Sequence, residues 1–285
     1  MALSLLCSFN EGSGMLGARL RKLLLFLPAV LCASAGVPAR AGDAPPSNVL
    51  HLASLEWLPY TSASLEGDGL DSTIAAAAAK QFASTVRVDY FPWKRAMQMG
   101  AEDPAFSGYF PAYYTDERAR TCYFSAPMGR STVGLAYLRS EPLQWEHLSD
   151  LEGLRLGVVA GFSNGKEFDA LAALGKLKLD ASPADAINLR KLLAGRIRAA
   201  VIDKLVLRYL LLTDPSLQAG RDQIVFHPNV LADLTLHICF HRNADGLRLQ
   251  KNFDEALSHM DIAKIENGYF QDLEAKDRAG AAGAK

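Results

Sequence analysis

Twice along this chain a β-prone apolar run is followed by a helical run and then by another strand. No other feature constrains the fold as tightly. In the first half VLHLASL (49–55) has strand character, and an alanine-rich stretch from Ser72 to Phe82 predicts a helix with Asp71 or Ser72 as its N-cap. TVRVDYF (85–91) alternates as a strand does, and Pro92 opens a helix at WKRAMQMG that Gly100 closes. In the second half LRLGVVAG (154–161) is almost continuously apolar, as a strand covered on both faces must be. It is followed by a helix at KEFDALAALG, a helix from Ala184 to Ala194 closed by Gly195, the strand RAAVID (198–203) and the helix KLVLRYLLL (204–212). A strand LTLHICF (234–240) and a long helical region from ADGLRLQKNFDEALSHM onward end the pattern, and the closing AGAAGAK has no core-forming residues. This alternation predicts α/β layers with mostly parallel sheets. Two such units predict two lobes, with the chain crossing between them near 125–140 and 225–236 and leaving a cleft of the kind that takes small ligands.

The 285 residues are 49% hydrophobic, enough for a sizeable core. Lys+Arg 30 against Asp+Glu 31 leaves no basic field for nucleic acid. Near the N-terminus Arg19, Arg21 and Lys22 precede the apolar run LLLFLPAVLCASA, and Ala39-Arg40-Ala41 follows as a small-x-small site. That is the pattern of a secretory signal peptide over residues 1–41, with a mature chain from about residue 42. The run is shorter than the roughly 18 residues a membrane-spanning helix needs, and Pro28 interrupts it. Met15 is an alternative start. Cys122 and Cys239 remain in the mature chain, and in an exported protein they either pair or stand as two separate buried thiols.

A set of short motifs runs along the same frame. Trp57-x-Pro59-Tyr60 follows the first strand, then Pro92-Trp93-x-Arg95-Ala96, then Thr115-x-Glu117-Arg118 with Phe124-Ser125-x-Pro127 after it. Leu151-x-Gly153, Gly161-x-Ser163 and Ala194-Gly195-Arg196 complete the set. In order and spacing these resemble the extracellular solute-binding proteins of ABC transporters, family 3, the polar amino-acid type. The resemblance implies a type II periplasmic-binding clamshell. Residues 49–135 and 234–275 would form one lobe, 136–233 the inserted second lobe, and 276–285 a disordered tail.

It also implies site residues. Arg118 would fork a ligand carboxylate, a geometry suited to a planar guanidinium. The plainer alternative is an ion pair with Asp116 or Glu117. Ser163, between a strand and a helix start, would meet the same carboxylate. Asp203 would hold the ammonium group, although it also fits as N-cap of the helix after it. Trp57 and Trp93 would be aromatic walls, with core packing as the alternative. The run Tyr109-Phe110-Pro111-Ala112-Tyr113-Tyr114 departs from the family pattern by replacing small hydroxyl residues with aromatic bulk, so Tyr113 joins the candidate ligand-binding residues. Ser54 stands where family members for basic side chains carry an acid, which disfavours a basic amino acid.

GFSNGK has neither the spacing nor the following Ser/Thr of a phosphate loop, and no nucleophile elbow or HExxH is present. His237, Cys239 and His241 alternate and would share one face of a strand, an alternative metal-binding arrangement. The expected function is periplasmic capture of a small carboxylate-bearing solute, an amino acid or relative, by a monomer that hands it to an ABC permease. No cofactor, resident metal, nucleic-acid partner or enzymatic step is expected. The alternatives are a ligand-sensing clamshell without a transporter and a clamshell enzyme of the dehydratase type.

Overall fold

The computed structural model describes residues 49–283, and the expected signal peptide and the GDAPPSN segment lie outside the described residues. Nine strands form one continuous curled sheet: β1 Val49–Ser54, β2 Thr85–Tyr90, β3 Gly108–Tyr113, β4 Cys122–Phe124, β5 Gly129–Leu138, β6 Arg155–Val159, β7 Lys178–Ser182, β8 Ala199–Asp203 and β9 Ile224–His241. Around it lie α1 Leu70–Gln81, α2 Trp93–Glu102, α3 Asp116–Ala119, α4 Lys166–Ala173, α5 Asp185–Leu193, α6 Lys204–Thr213, α7 Ala244–Ser258 and α8 Ile262–Gly283. The strand order is β2-β1-β3-β9-β5-β8-β6-β7, with β4 also on β9. β2, β1 and β3 are parallel, as are β8, β6 and β7. β9 and β5 run antiparallel between the two groups and join them.

The two joining strands coincide with the two expected crossings. β9 is much longer than the strand expected at 234–240. Its C-terminal part pairs β3 from Leu236 to Phe240, and it pairs β5 from Leu236 back to Ile224. Pro228, Asn229 and Asp233 hide its first half from a reading by apolar alternation. Register shifts flank Gly134 in β5, where a Cβ would fall 2.5 Å from the Phe226 ring. β3 was hidden in the same way by Pro111. That proline sits between Tyr109 and Ala112, where the register with β9 shifts, one of the few places a sheet tolerates it.

Two helix ends differ from expectation. The N-cap of α1 is Gly69, so Asp71 lies inside the first turn and is fully buried. α2 runs past Gly100 to Glu102, and Gly100 instead lets the helix approach β3, since a Cβ there would lie 2.6 Å from the Gly108 carbonyl oxygen. The expected long C-terminal helix is broken after Ser258, and the Asp261 side chain accepts the Lys264 N–H at the start of α8. Residues 276–283, expected as a disordered tail, continue α8. An alanine-rich sequence suits a helix, and this one is anchored by Arg208–Glu274 at 2.7 Å, Arg221–Asp277 at 2.8 Å and Lys276–Glu66 at 2.9 Å.

The largest core cluster runs through both strand groups. Leu50, Leu52 and Ile74 belong to it together with Ile202, Val206 and Leu207. A second cluster, with Leu135, Leu156 and Phe168, lies under α4. A third surrounds Cys122 and Cys239, which form a disulfide with Cα atoms 5.6 Å apart. No helix among the described residues is long and apolar enough to cross a membrane.

Candidate ligand cleft

Strand ends of both parallel groups converge on one small cavity. Trp57 follows β1, Tyr113 ends β3, Phe162 and Ser163 follow β6, Asp185 follows β7 and Asp203 ends β8, and all six line it. This is the position outside the carboxyl ends of strands where open α/β sheets bind ligands. The cavity holds about 30 Å³, room for a few waters at most, so a larger solute requires the walls to part.

Asp203 is the best-held polar group of the cleft. It is 7% exposed. Its Oδ1 accepts the Leu205 and Val206 N–H groups at 2.8 and 3.0 Å, so it does cap α6. It also faces the cleft's hydroxyls. Tyr60 donates to Oδ1 at 2.9 Å and Ser131 to Oδ2 at 2.7 Å, and the Tyr113 hydroxyl lies 2.9 Å from Ser131 Oγ. Burial still outweighs these bonds and pushes the carboxyl up to about 6. The capping and ligand roles expected as alternatives are therefore compatible in one side chain.

Two further carboxylates share this field. Asp185 is half-buried at the start of α5, and burial, then the charge of Asp203, raises it to about 7. Asp71 is 0% exposed, and neither of its oxygens has a hydrogen-bond partner among the described residues. Burial, then Asp203, raises it well above the usual carboxylate range. Its charge also reaches Tyr60 and Tyr113, whose hydroxyls burial holds high. Among the described residues none of the three carboxylates is paired with Lys, Arg or His.

Trp57 packs tilted on Tyr60 at 4.4 Å and edge-on to Tyr113 at 6.0 Å, a half-buried aromatic wall beside the acids. Trp93 is elsewhere. It packs in the disulfide cluster, edge-on to Tyr109 at 5.8 Å, and does not line the cavity. Arg118 lies over Trp93, 5.9 Å from the ring centre. It donates to the Tyr113 carbonyl at 2.9 Å and points its other terminal nitrogen at Met97 Sδ, 3.6 Å away. It makes no ion pair with Asp116 or Glu117, so the surface-pair alternative does not hold. The Ser163 hydroxyl donates to Asp169 Oδ2 at 2.6 Å, and the Asn164 N–H meets both Asp169 oxygens at 3.0 and 3.2 Å.

Four of the six expected ligand residues, Trp57, Tyr113, Ser163 and Asp203, thus meet at one cavity, while Arg118 and Trp93 pair beside it. Asp71 and Asp185 went unread as ligand residues because each occupies a helix's first turn, where an acid needs no other explanation. Tyr60, in the Trp57-x-Pro59-Tyr60 motif, was the one available pointer to the hydroxyls around Asp203. Of the His237-Cys239-His241 face, two members are engaged in structure. The sulfur is in the disulfide, and the two His237 ring nitrogens lie 2.8 Å from the Ser125 carbonyl and 2.7 Å from Thr235 Oγ1.

No protein-family model matches the sequence. No curated protein matches it either. Solved structures do. The GluR0 ligand-binding core in complex with L-glutamate is 14% identical, covers 80% of this chain and 97% of that chain, and superposes with a TM-score of 0.59. A histidine kinase sensor domain with similarity to periplasmic binding proteins is 19% identical over 80% of this chain and 95% of that one, with a TM-score of 0.57. The truncated, arginine-bound arginine-binding protein from T. maritima is 15% identical over 74% and 95%, with a TM-score of 0.56. At such identities the likeness concerns architecture, and together with the two parallel strand groups joined by β5 and β9 it shows that the chain has the two-lobed α/β clamshell fold of type II periplasmic binding proteins.

Proposed function

We propose that this clamshell captures a small ammonium-bearing solute, an amino acid or a compound related to one, in the cavity between Trp57 and Asp203. The observation that carries the reading is Asp203 itself: a buried carboxylate, oriented by four hydrogen bonds, facing a cavity and lacking any cationic partner among the described residues. Burying such a charge unpaired is costly, and a ligand ammonium relieves that cost on binding. Trp57 adds an aromatic face suited to a cation. Proteins of similar fold bind glutamate and arginine, which agrees with a small zwitterionic or cationic solute.

The fold and the expected signal peptide support the role of a monomeric periplasmic receptor that closes on its solute and delivers it to an ABC permease. Differential affinity for the closed state would drive the closure. A thermal-shift screen of amino acids and amines tests the reading, because a solute bound only by the native state raises the melting temperature by mass action. The D203N variant is expected to bind the screened solute at least about tenfold more weakly, since it loses the charge but keeps the cap. Unchanged affinity in D203N would remove Asp203 from the site.

A further inference from the structure

The groups that would hold a ligand's carboxylate are already engaged within the protein, whereas the acids that would hold its ammonium have no cationic partner among the described residues. On the second-lobe side the Ser163 hydroxyl and the Asn164 N–H converge on Asp169, whose carboxylate accepts three contacts from them at 2.6 to 3.2 Å. This loop, ahead of α4, is the place a ligand carboxylate would seek, and it is filled by the chain's own anion. On the other side Arg118 is turned to the Tyr113 carbonyl, Met97 and the Trp93 face, and it is not among the residues that line the cavity.

The cavity itself is bordered by Asp185 and Asp203, and the buried Asp71 is close enough to Asp203 to feel its charge. Asp71 Oδ1 would be 3.3 Å from a Cβ placed on Gly129, two residues before Ser131. That places the carboxylate next to β5, the strand that also carries Ser131. It is fully buried and has no partner among the described residues. A solute carboxylate entering here would be opposed by Asp203 and Asp185 in their ionised forms and would displace none of the bonds made by Asp169. A solute that is only cationic would neutralise acids that now have no counter-charge.

Resting on the reading of the cleft as an ammonium site, we propose that the preferred solute is an amine without an α-carboxylate: a monoamine or diamine whose ammonium group is held by Asp203 with Asp185, against the faces of Trp57, Tyr113 and Phe162.

Calorimetry with matched pairs that differ only in the carboxylate tests this on the purified protein. Suitable pairs are agmatine and arginine, cadaverine and lysine, and tyramine and tyrosine. In the pair that binds, the amine is expected to bind at least tenfold more tightly than its amino acid, with R118A changing amine affinity less than threefold. D169N, which keeps an acceptor for Ser163 but loses the charge, is expected to narrow the gap by improving the amino acid. An amino acid that binds as tightly as its amine, or an R118A variant that loses binding, overturns this proposal and leaves the ammonium site standing. Binding by neither member of any pair overturns both.

Discussion

Removing the Cys122–Cys239 disulfide is expected to lower the unfolding free energy by about 4 kcal/mol, because it closes a loop spanning a sequence separation of 117 in the denatured chain. The bond ties β4 to β9 inside a cluster with Ala53, Ala96 and Tyr109, so its two ends are already packed together by the fold. Little native structure should change when the sulfurs are replaced, and most of the loss should come from the freed unfolded ensemble. Urea unfolding of C122S/C239S beside the oxidised wild type measures it. A loss under about 1 kcal/mol would mean that the denatured chain is compact enough to hold the two positions close without the bond.

Acid is expected to stabilise the ligand-free protein. Asp203 and Asp185 rise from 3.8 to about 6 and about 7, so between about pH 4 and 7 the native state binds more protons than the unfolded state. The contribution is fully present below the unfolded carboxylate value and is lost as pH rises through 6 and then 7. Lowering the pH from about 8 to about 5 should therefore recover about 3 kcal/mol, after allowance for the coupling of the two groups and the partial exposure of Asp185. Asp71 and Glu266, both raised by burial, act in the same direction. His237, held low by burial, pulls the other way as pH falls through the usual imidazole range, and the carboxylates held low by partners, Asp233 by Arg130 and Glu66 by Lys276, do so only at more acidic pH. Amine binding carries the opposite sign, since it needs the carboxylates ionised. Thermal melts across this range, with and without a bound amine, read both trends. A free protein that melts lower at pH 5 than at pH 8, with D203N following the same profile, would show that these acids are not uncompensated.

Much of this architecture is legible in the sequence because the parallel strands are buried on both faces and write themselves as apolar runs. β1, β6 and β8 are plain for that reason, and the edge strand β2 is plain from its alternation instead. The strands that join the two halves are harder to see. β5 and β9 change environment along their length, and β3 carries a proline at its bulge, so no single periodicity describes any of them. The candidate site divides in the same way. Trp57, Ser163 and Asp203 are legible through spaced motifs and Tyr113 through the aromatic run that departs from the family pattern, and the cavity brings them together. What a motif cannot state is occupancy. Whether Ser163 is free or bound to Asp169 depends on a side chain six positions away, and whether Asp71 caps a helix or lies buried depends on where α1 begins. Both turn on one turn of backbone.

The largest apolar cluster also has a mechanical meaning. It crosses from Leu52 and Ile74 to Ile202 and Val206 without interruption, and α8 lies on the same flank, tied to Arg208 and Arg221 on one side and to Glu66 on the other. The molecule is thus bound like a book, with an oily spine and a fore-edge at the cavity that Trp57, Phe162 and Asp203 line. Pages bound in this way turn about the spine. Admission of a solute is expected to be a small rotation that parts the fore-edge, with β5 and β9 bending and the seam and its covering helix left intact.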